Sequence, residues 1–353
     1  YYNLLAWYRN LGLLPGGHRH LRHFDEMLGT GGDLDPGDLP MPQPPGFFLS
    51  IRIVVGLIWR FLLQPWSTSR FMWRVRQARR EADATDLGAL RLDELVKRFE
   101  RFESLLLRHW TTPQFNDFYC QTAVGWLKSA ISNWLGKSFV VSMHELLPMD
   151  KSVESERAVN SLCDLAESIR ERPELVEACR KLDPPDLSDL LQSDSEIRQR
   201  FDRHVTLFGD RWHGELKLET VTPREDPAVL IGVLAQHVLA PAVENSIARS
   251  SEIHHAIDRL SLAKRSLIML LARTSRGLIA NRENTRFERT RVFGLVRRGF
   301  RAIGRKLAER GCLASAEDVF FLTKSEIFGF IEGSGVDFDL KGMVRARRIA
   351  ADP

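Results

Sequence analysis

The chain has 353 residues, of which 27% are charged and 44% hydrophobic, and its formal net charge is +4. These values are typical of an ordinary globular protein with two or three domains or one large helical body. The four cysteines are scattered without a CxxC or Cys/His spacing, which argues against a disulfide framework or a structural metal and favours reduced thiols in the cytoplasm.

The pattern divides the chain into four stretches. Residues 1–28 are predicted to form the opening helices, and residues 29–46 are a loop dense in Gly and Pro. Residues 47–272 form a helical body, and residues 273–353 contain a long basic helix, a DVFFL strand and a C-terminal helix. No G-x-G-x-x-G or P-loop is present, so the sequence contains no nucleotide cradle of its own.

The most hydrophobic run is residues 47–63. Arg52 and Arg60 interrupt it well short of the ~20 apolar residues that a membrane span needs, so we reject a transmembrane helix. A core helix is favoured over an amphipathic helix that lies on a membrane surface. If the protein binds a large apolar ligand, aromatic residues here and just beyond are candidate pocket walls.

Amphipathic periodicity and Pro positions predict further helices over residues 90–110, 113–136, 148–170, 173–182, 193–207, 226–239 and 245–271. Strand signals are confined to residues 216–218 and 319–322. We therefore predict a mostly α fold, an elongated multi-helix domain with one long basic helix and a minor β element.

Residues 273–310 carry a local charge of +9, and Gly311 follows where a helix C-terminus is expected. The predicted helix covers residues 282–310, with Val292, Val296, Ile303 and Leu307 as its packing face. Arg282, Arg286 and Arg289 fall on one face at i, i+4 and i+7. Such a row suits a polyanion because guanidinium groups hold phosphate in a bidentate way, although a solvated basic face has the same composition.

Two constellations could carry chemistry. The first is Arg282, Glu283 and Arg286, predicted at a helix N-terminus, where side chains and helix dipole together favour phosphate. Glu283 could orient an Arg, bind a nucleotide-held metal or accept a proton. The second is residues 208–220, in which Arg211 and Glu215 stand one turn apart and can pair; an internal ion-pair cluster is the simpler interpretation. Few aromatic residues interleave with the Arg row, so nucleic acid is not favoured as a partner.

Four motifs in order resemble the central region of phosphoenolpyruvate-synthase-like proteins, in the branch that includes the rifampicin phosphotransferases. In chain order the motifs are Gly209-Asp210-Arg211 with Glu215, Arg282-Glu283 with Arg286, Ile303-Gly304 with Leu307, and residues 318–327. Each motif alone is weakly specific. Four of them in this order are fairly specific. Residues 1–16 and 27–29 resemble the segment that begins this region, so the resemblance covers nearly the whole chain.

The resemblance implies an acceptor-binding domain of an ATP-dependent, dikinase-type phosphotransferase. Family members also have an ATP-grasp domain, which binds ATP with Mg²⁺, and a swivelling phospho-His domain. We expect both to lie outside this chain as partners within one parent protein, so that this chain holds no cofactor itself and is inactive alone. Arg282, Arg286 and Glu283 are then the expected catalytic residues, and Asp210, Arg211, Glu215 and Arg289 the expected substrate-binding residues. The acceptor is a small molecule that the sequence does not identify.

A competing hypothesis is a non-catalytic helical scaffold that uses the basic helix to hold anionic partners. A membrane surface is one such partner, although the sequence does not favour it.

Overall fold

A computed structural model describes residues 46–106, 109–147, 153–181, 193–240, 252–335 and 339–351. The predicted opening helices and most of the Gly/Pro-rich loop lie outside these residues. Two units are distinguished, Tyr1–Ser67 and Thr68–Pro353. The four-stretch division of the chain stays a prediction.

The described part consists of helices joined by turns. The α-helices are α1 (Phe47–Asp83), α2 (Leu92–Leu106), α3 (Thr111–Trp134), α4 (Glu154–Arg170), α5 (Pro173–Lys181), α6 (Ser195–Phe208), α7 (Ala228–Leu239), α8 (Glu252–Asp258), α9 (Leu262–Glu309), α10 (Lys324–Glu332) and α11 (Leu340–Ala351). Two 3-10 helices cover Lys137–Leu146 and Ala316–Phe321. The predicted mostly α fold is confirmed.

The predicted minor β element is wrong within the described residues. Residues 216–218 lie in turns, and the DVFFL segment forms the second 3-10 helix. Ser315 caps that helix: its hydroxyl and backbone N–H both bond Asp318, at 2.9 and 3.1 Å. This capping box starts the helix, and the bond from the Leu322 N–H to the Val319 carbonyl oxygen, at 3.2 Å, keeps the segment's backbone bonding local.

The long basic helix α9 is confirmed but begins about twenty residues earlier than predicted, at Leu262, and has 48 residues. It ends at Glu309, and Gly311 follows with φ +71°, in the left-handed region that favours glycine. The helix start matters for function. Arg282 and Arg286 lie in the helix interior, where backbone N–H groups are already bonded, so the predicted phosphate site at a helix N-terminus is wrong.

Helix α9 packs against several other helices of the second unit. Its first turns join α3, α8 and the first 3-10 helix in an apolar cluster that includes Leu127, Ile131 and Ile268. Its last turns contact α2, α10 and α11 through Phe300 and Ile303, among others. The predicted packing face is confirmed, since Val292, Ile303 and Leu307 are buried and Val296 is half-buried.

Helices α4, α5, α6 and α7 form a separate apolar cluster in the same unit. Asp194 caps α6 by accepting hydrogen bonds from the N–H groups of Glu196 and Ile197, at 2.9 and 3.0 Å. Residues 209–226 connect α6 to α7, and their contacts with α9 position one of the two predicted constellations.

Candidate functional site

The first constellation lies where α3 packs against α9. Buried Asn116 donates a hydrogen bond to the carbonyl oxygen of Leu278, at 3.0 Å, and so attaches α3 to α9. One residue later, Asp117 Oδ1 lies 3.6 Å from Arg282 Nε. That distance makes an ion pair but is too long for a hydrogen bond. The carboxylate of Glu283, the residue after Arg282, lies 3.4 Å from Arg286, which is one turn farther along α9.

The electrostatics of this region are set by its Arg side chains and by partial burial. Burial raises the pKa of Asp117, and the charges of Arg282, Arg286 and Arg289 oppose that rise. Burial also raises the pKa of the neighbouring Cys120 to about 11, so this thiol stays protonated at neutral pH. Cys120 is therefore an apolar packing residue here rather than a nucleophile.

The three Arg side chains on this face differ in exposure. Arg286 is exposed, whereas Arg282 and Arg289 are half-buried. Asp117 and Glu283 face Arg282 and Arg286, and Arg289 lies on the same face of the helix. We call these five residues the Arg282 patch. It can receive an anion, because Arg stays charged when partly buried and presents several N–H donors.

The second constellation is an internal ion-pair network. Asp210 is buried and lies 3.3 Å from Arg298 and 3.9 Å from Arg224. Asp83 at the end of α1 pairs with the same two Arg residues, at 3.2 and 2.8 Å. Burial raises the pKa of Asp210, and its Arg neighbours oppose the rise. We name this set the Asp210 network.

Arg211 and Glu215 form the predicted pair, at 2.6 Å, although the segment is a turn and not a helix. Glu215 also accepts a hydrogen bond from the N–H of Trp212, at 2.9 Å. These contacts fix the turn. They favour the interpretation of an internal ion-pair cluster for Arg211 and Glu215, and their predicted substrate-binding role stays a prediction.

The structure does not bring the two constellations together. Arg298, the α9 partner of Asp210, comes sixteen residues after Arg282, or about 24 Å along the helix axis. An open cavity of about 590 Å³ borders the Asp210 network. Its charged lining residues are Asp83, Asp86, Arg224, Glu225, Arg298, Arg301, Arg305 and Glu317. Because acids and bases alternate there, the cavity has no strong preference for an anion.

Sequence reasoning missed the burial of Arg residues farther along α9. Arg291 is buried between Glu288, at 2.5 Å, and Glu154 of α4, at 2.9 Å. Arg297 is fully buried and binds backbone carbonyl groups of the 215–218 turn. The i, i+3 spacing of Glu288 and Arg291 was the only local signal. The other partners are more than seventy positions away in sequence, so no local pattern shows them.

The comparisons with known proteins concern the same region. Residues 116–283 match a family model described as the rifampicin phosphotransferase fourth domain. A rifampicin phosphotransferase from a Streptomyces species is 25% identical over 244 residues, which are 65% of this chain and 28% of that relative. A rifampicin phosphotransferase from Streptomyces sviceus is 24% identical with the same coverage, and one from Bacillus cereus is 20% identical over 239 residues, 62% of this chain and 27% of the relative.

The chain resembles the central region of rifampicin-phosphotransferase-like, PEP-utilising enzymes. It spans little more than a quarter of the length of these curated relatives. The residues that the family model matches include Asp117, the 209–215 turn, Arg282 and Glu283, and they end before Arg286. The match thus includes the contact between α3 and α9 that holds Arg282.

Proposed function

We propose that this chain is the acceptor-binding domain of an ATP-dependent, dikinase-type phosphotransferase. Its parent protein transfers a phosphoryl group from ATP, through a histidine, to a hydroxyl or enolate group of a small-molecule acceptor. In this proposal the parent is cytoplasmic, and its ATP-grasp and phospho-His domains are the partners of this chain. The similarity of residues 116–283 to the rifampicin phosphotransferase fourth domain supports the proposal.

The observation that carries the proposal is the Arg282 patch. Catalysis of phosphoryl transfer consists mainly of positioning and of neutralising charge on the equatorial oxygens. Arg282 and Arg286 supply that charge. Arg282 forms an ion pair of 3.6 Å with Asp117, which is too long for a hydrogen bond and weaker than a charge-assisted bond to a phosphoryl oxygen would be. In this scheme Glu283 orients Arg286, from which it lies 3.4 Å away, or accepts the proton of the acceptor hydroxyl.

Neither ATP nor Mg²⁺ is assigned to this chain. Guanidinium groups have no lone pair for a cation, so the Arg282 patch fits a phosphoryl group and not a metal ion. The proposal places Mg²⁺ and ATP in the ATP-grasp domain, where they supply the activated phosphoryl group. The residues of this chain then bind and orient the acceptor and the incoming phosphoryl group.

The decisive experiment follows labelled phosphate from ATP in the intact parent protein. We expect a phosphohistidine that is stable alone and is discharged when the right hydroxylated acceptor is added from a panel. Arg282→Ala should lower the discharge rate by ~100-fold or more, which is about what losing one transition-state charge partner costs. Thermal stability should change little, because Arg282 is half-buried and its ion pair with Asp117 is long.

Arg273→Ala is the matched control, since Arg273 is exposed on the same helix and lies outside the patch. It should leave the discharge rate unchanged. Unaltered discharge by Arg282→Ala would remove Arg282 from the site. A parent protein that never labels would contradict the phosphotransferase proposal and favour a non-catalytic scaffold.

A further inference from the structure

The first half of α1 exposes large apolar side chains to an unusual extent. They are Phe47, Phe48, Leu49, Ile51, Val54, Val55, Ile58, Trp59, Phe61, Leu62, Leu63 and Trp66. Among the described helices of eighteen or more residues, α1 alone is long and apolar enough to cross a membrane by length and composition. The exposure of these side chains contradicts the prediction of a core helix here.

The exposed side chains surround most of the helix. At 100° per residue these side chains extend over about two thirds of the helix circumference. The remaining third contains the buried residue Gln64. A helix that docks into a protein groove needs an apolar stripe of roughly 100°. One groove would leave much of this surface in water, whereas a lipid phase can contact all of it.

Aromatic and basic residues on α1 are arranged along one line. Trp59, Trp66 and Trp73 follow each other at intervals of seven residues, and each is about 60% exposed. Arg52 precedes them and Arg80 follows at the same interval. Residues seven apart share a helix face, so the line runs along the middle of the exposed surface. If the helix lay parallel to a membrane, all three Trp would sit at one depth, the interfacial depth that Trp prefers.

The charges on α1 favour anionic lipid. Residues 47–80 contain no Asp or Glu, and the helix continues through Arg70, Arg74, Arg76, Arg79 and Arg80. Basic residues next to an interfacial apolar helix are attracted to the negative surface of anionic membranes. Exposed Arg52 can extend its charged end to the headgroups while its aliphatic stem contacts the acyl chains.

We propose that α1 lies in the headgroup region of an anionic lipid bilayer, with its Trp line inserted, and attaches the protein to a membrane surface. The attachment is independent of phosphoryl transfer, since it uses no residue of the Arg282 patch. It departs from the sequence-based preference against a membrane surface.

The test is vesicle flotation of the protein with every domain that its gene encodes. One set of vesicles contains phosphatidylcholine alone, and the other contains about 30% phosphatidylglycerol, which gives the surface negative charge. We expect the protein to float with the anionic vesicles. Aggregated protein would sediment instead, so flotation separates lipid binding from self-association. Absence from the floating fraction would overturn the proposal, because flanking domains would then cover α1.

Two pairs of substitutions locate the binding surface. Ile58→Asp with Leu62→Asp should abolish flotation, since both side chains are more than half exposed and no core contact is lost. Leu262→Asp, at an even more exposed Leu on α9, should float normally. Arg76→Gln with Arg80→Gln should weaken binding to anionic vesicles by roughly 30-fold. The lipid assignment would be refuted if Leu262→Asp reduced flotation as much as the paired Ile58→Asp and Leu62→Asp substitutions do. It would also be refuted if that pair changed the molecular mass of the protein in solution but not its flotation.

Discussion

The buried guanidinium of Arg297 offers the sharpest test of how α9 is held. Its side chain is fully buried. The Nη2 group donates to the carbonyl oxygens of Glu215, at 2.7 Å, and Lys217, at 2.9 Å, and Nε donates to that of Leu218, at 3.2 Å. Nη1 lies 3.8 Å from a carboxylate oxygen of Glu225. Arg297→Met keeps most of the volume but removes all four interactions.

The expected loss follows from these contacts. Hydrogen bonds to a charged group contribute roughly 1.5–3 kcal/mol each, and breaking a buried ion pair costs about 3–5 kcal/mol. Burial lowers the pKa of Arg297, which shows that desolvation offsets part of this gain. We therefore expect Arg297→Met to lower the free energy of unfolding by about 4 kcal/mol. Arg297→Lys keeps the charge but not the planar fork and should lose about 2 kcal/mol.

Urea unfolding followed by circular dichroism measures both variants. Arg305→Met is the matched control, because Arg305 is exposed two turns later on α9, and it should change stability by less than about 0.5 kcal/mol. If Arg297→Met prevents folding, the graded loss in Arg297→Lys still tests the argument. A loss below about 1 kcal/mol in both variants would show that Arg297 does not hold the 215–218 turn.

Two further predictions concern stability. A Cβ at Gly304 would overlap the backbone carbonyl of Ala316, so Gly304→Ala should destabilise the protein by about 1–3 kcal/mol. Gly299→Ala, with no atom near its Cβ, should instead stabilise it by about 0.5–1 kcal/mol. Thermal melting curves of the two variants that coincide would contradict this prediction. Burial lowers the pKa of His204 to about 4, below its unfolded value of about 6.5. As the pH falls, the unfolded state therefore binds the proton first. The free energy of unfolding should decrease by on the order of 3 kcal/mol as the pH drops from 6.5 to 4. His204→Gln should flatten this acid limb and His213→Gln, at an exposed position, should not.

Local signals predicted the elements but not their partners. Apolar periodicity and Pro positions gave most helices to within a few residues, because both act over one or two turns. The Arg211–Glu215 pair was predictable for the same reason, since its members are one turn apart. Four apolar residues in DVFFL were read as a strand, yet a short apolar run is equally compatible with a helical turn, and the Ser315 cap decides between them.

The functional region was harder to predict because its geometry depends on distant residues. Asp117 lies 165 positions before Arg282, and no periodicity in either segment links them. The start of α9 was misplaced because residues 262–281 are themselves helical and continue into the basic segment without a break. That error moved the expected phosphate site to a helix end. The side chains of the Arg282 patch, and not a helix terminus, must then supply any anion binding.

The distribution of acids along α9 explains why one part of a basic helix is suited to an anion and the rest is not. From Arg291 onward, acids contributed by α1, α4 and the 209–226 segment neutralise the buried guanidinium groups, and those side chains stabilise the fold. The ion pair of Arg282 with Asp117 is long, at 3.6 Å. An incoming phosphoryl group would compete with this long pair at Arg282, whereas at Arg297 it would have to break a buried network. This contrast supports the proposal that the Arg282 patch is the site on α9 for an anionic reacting group.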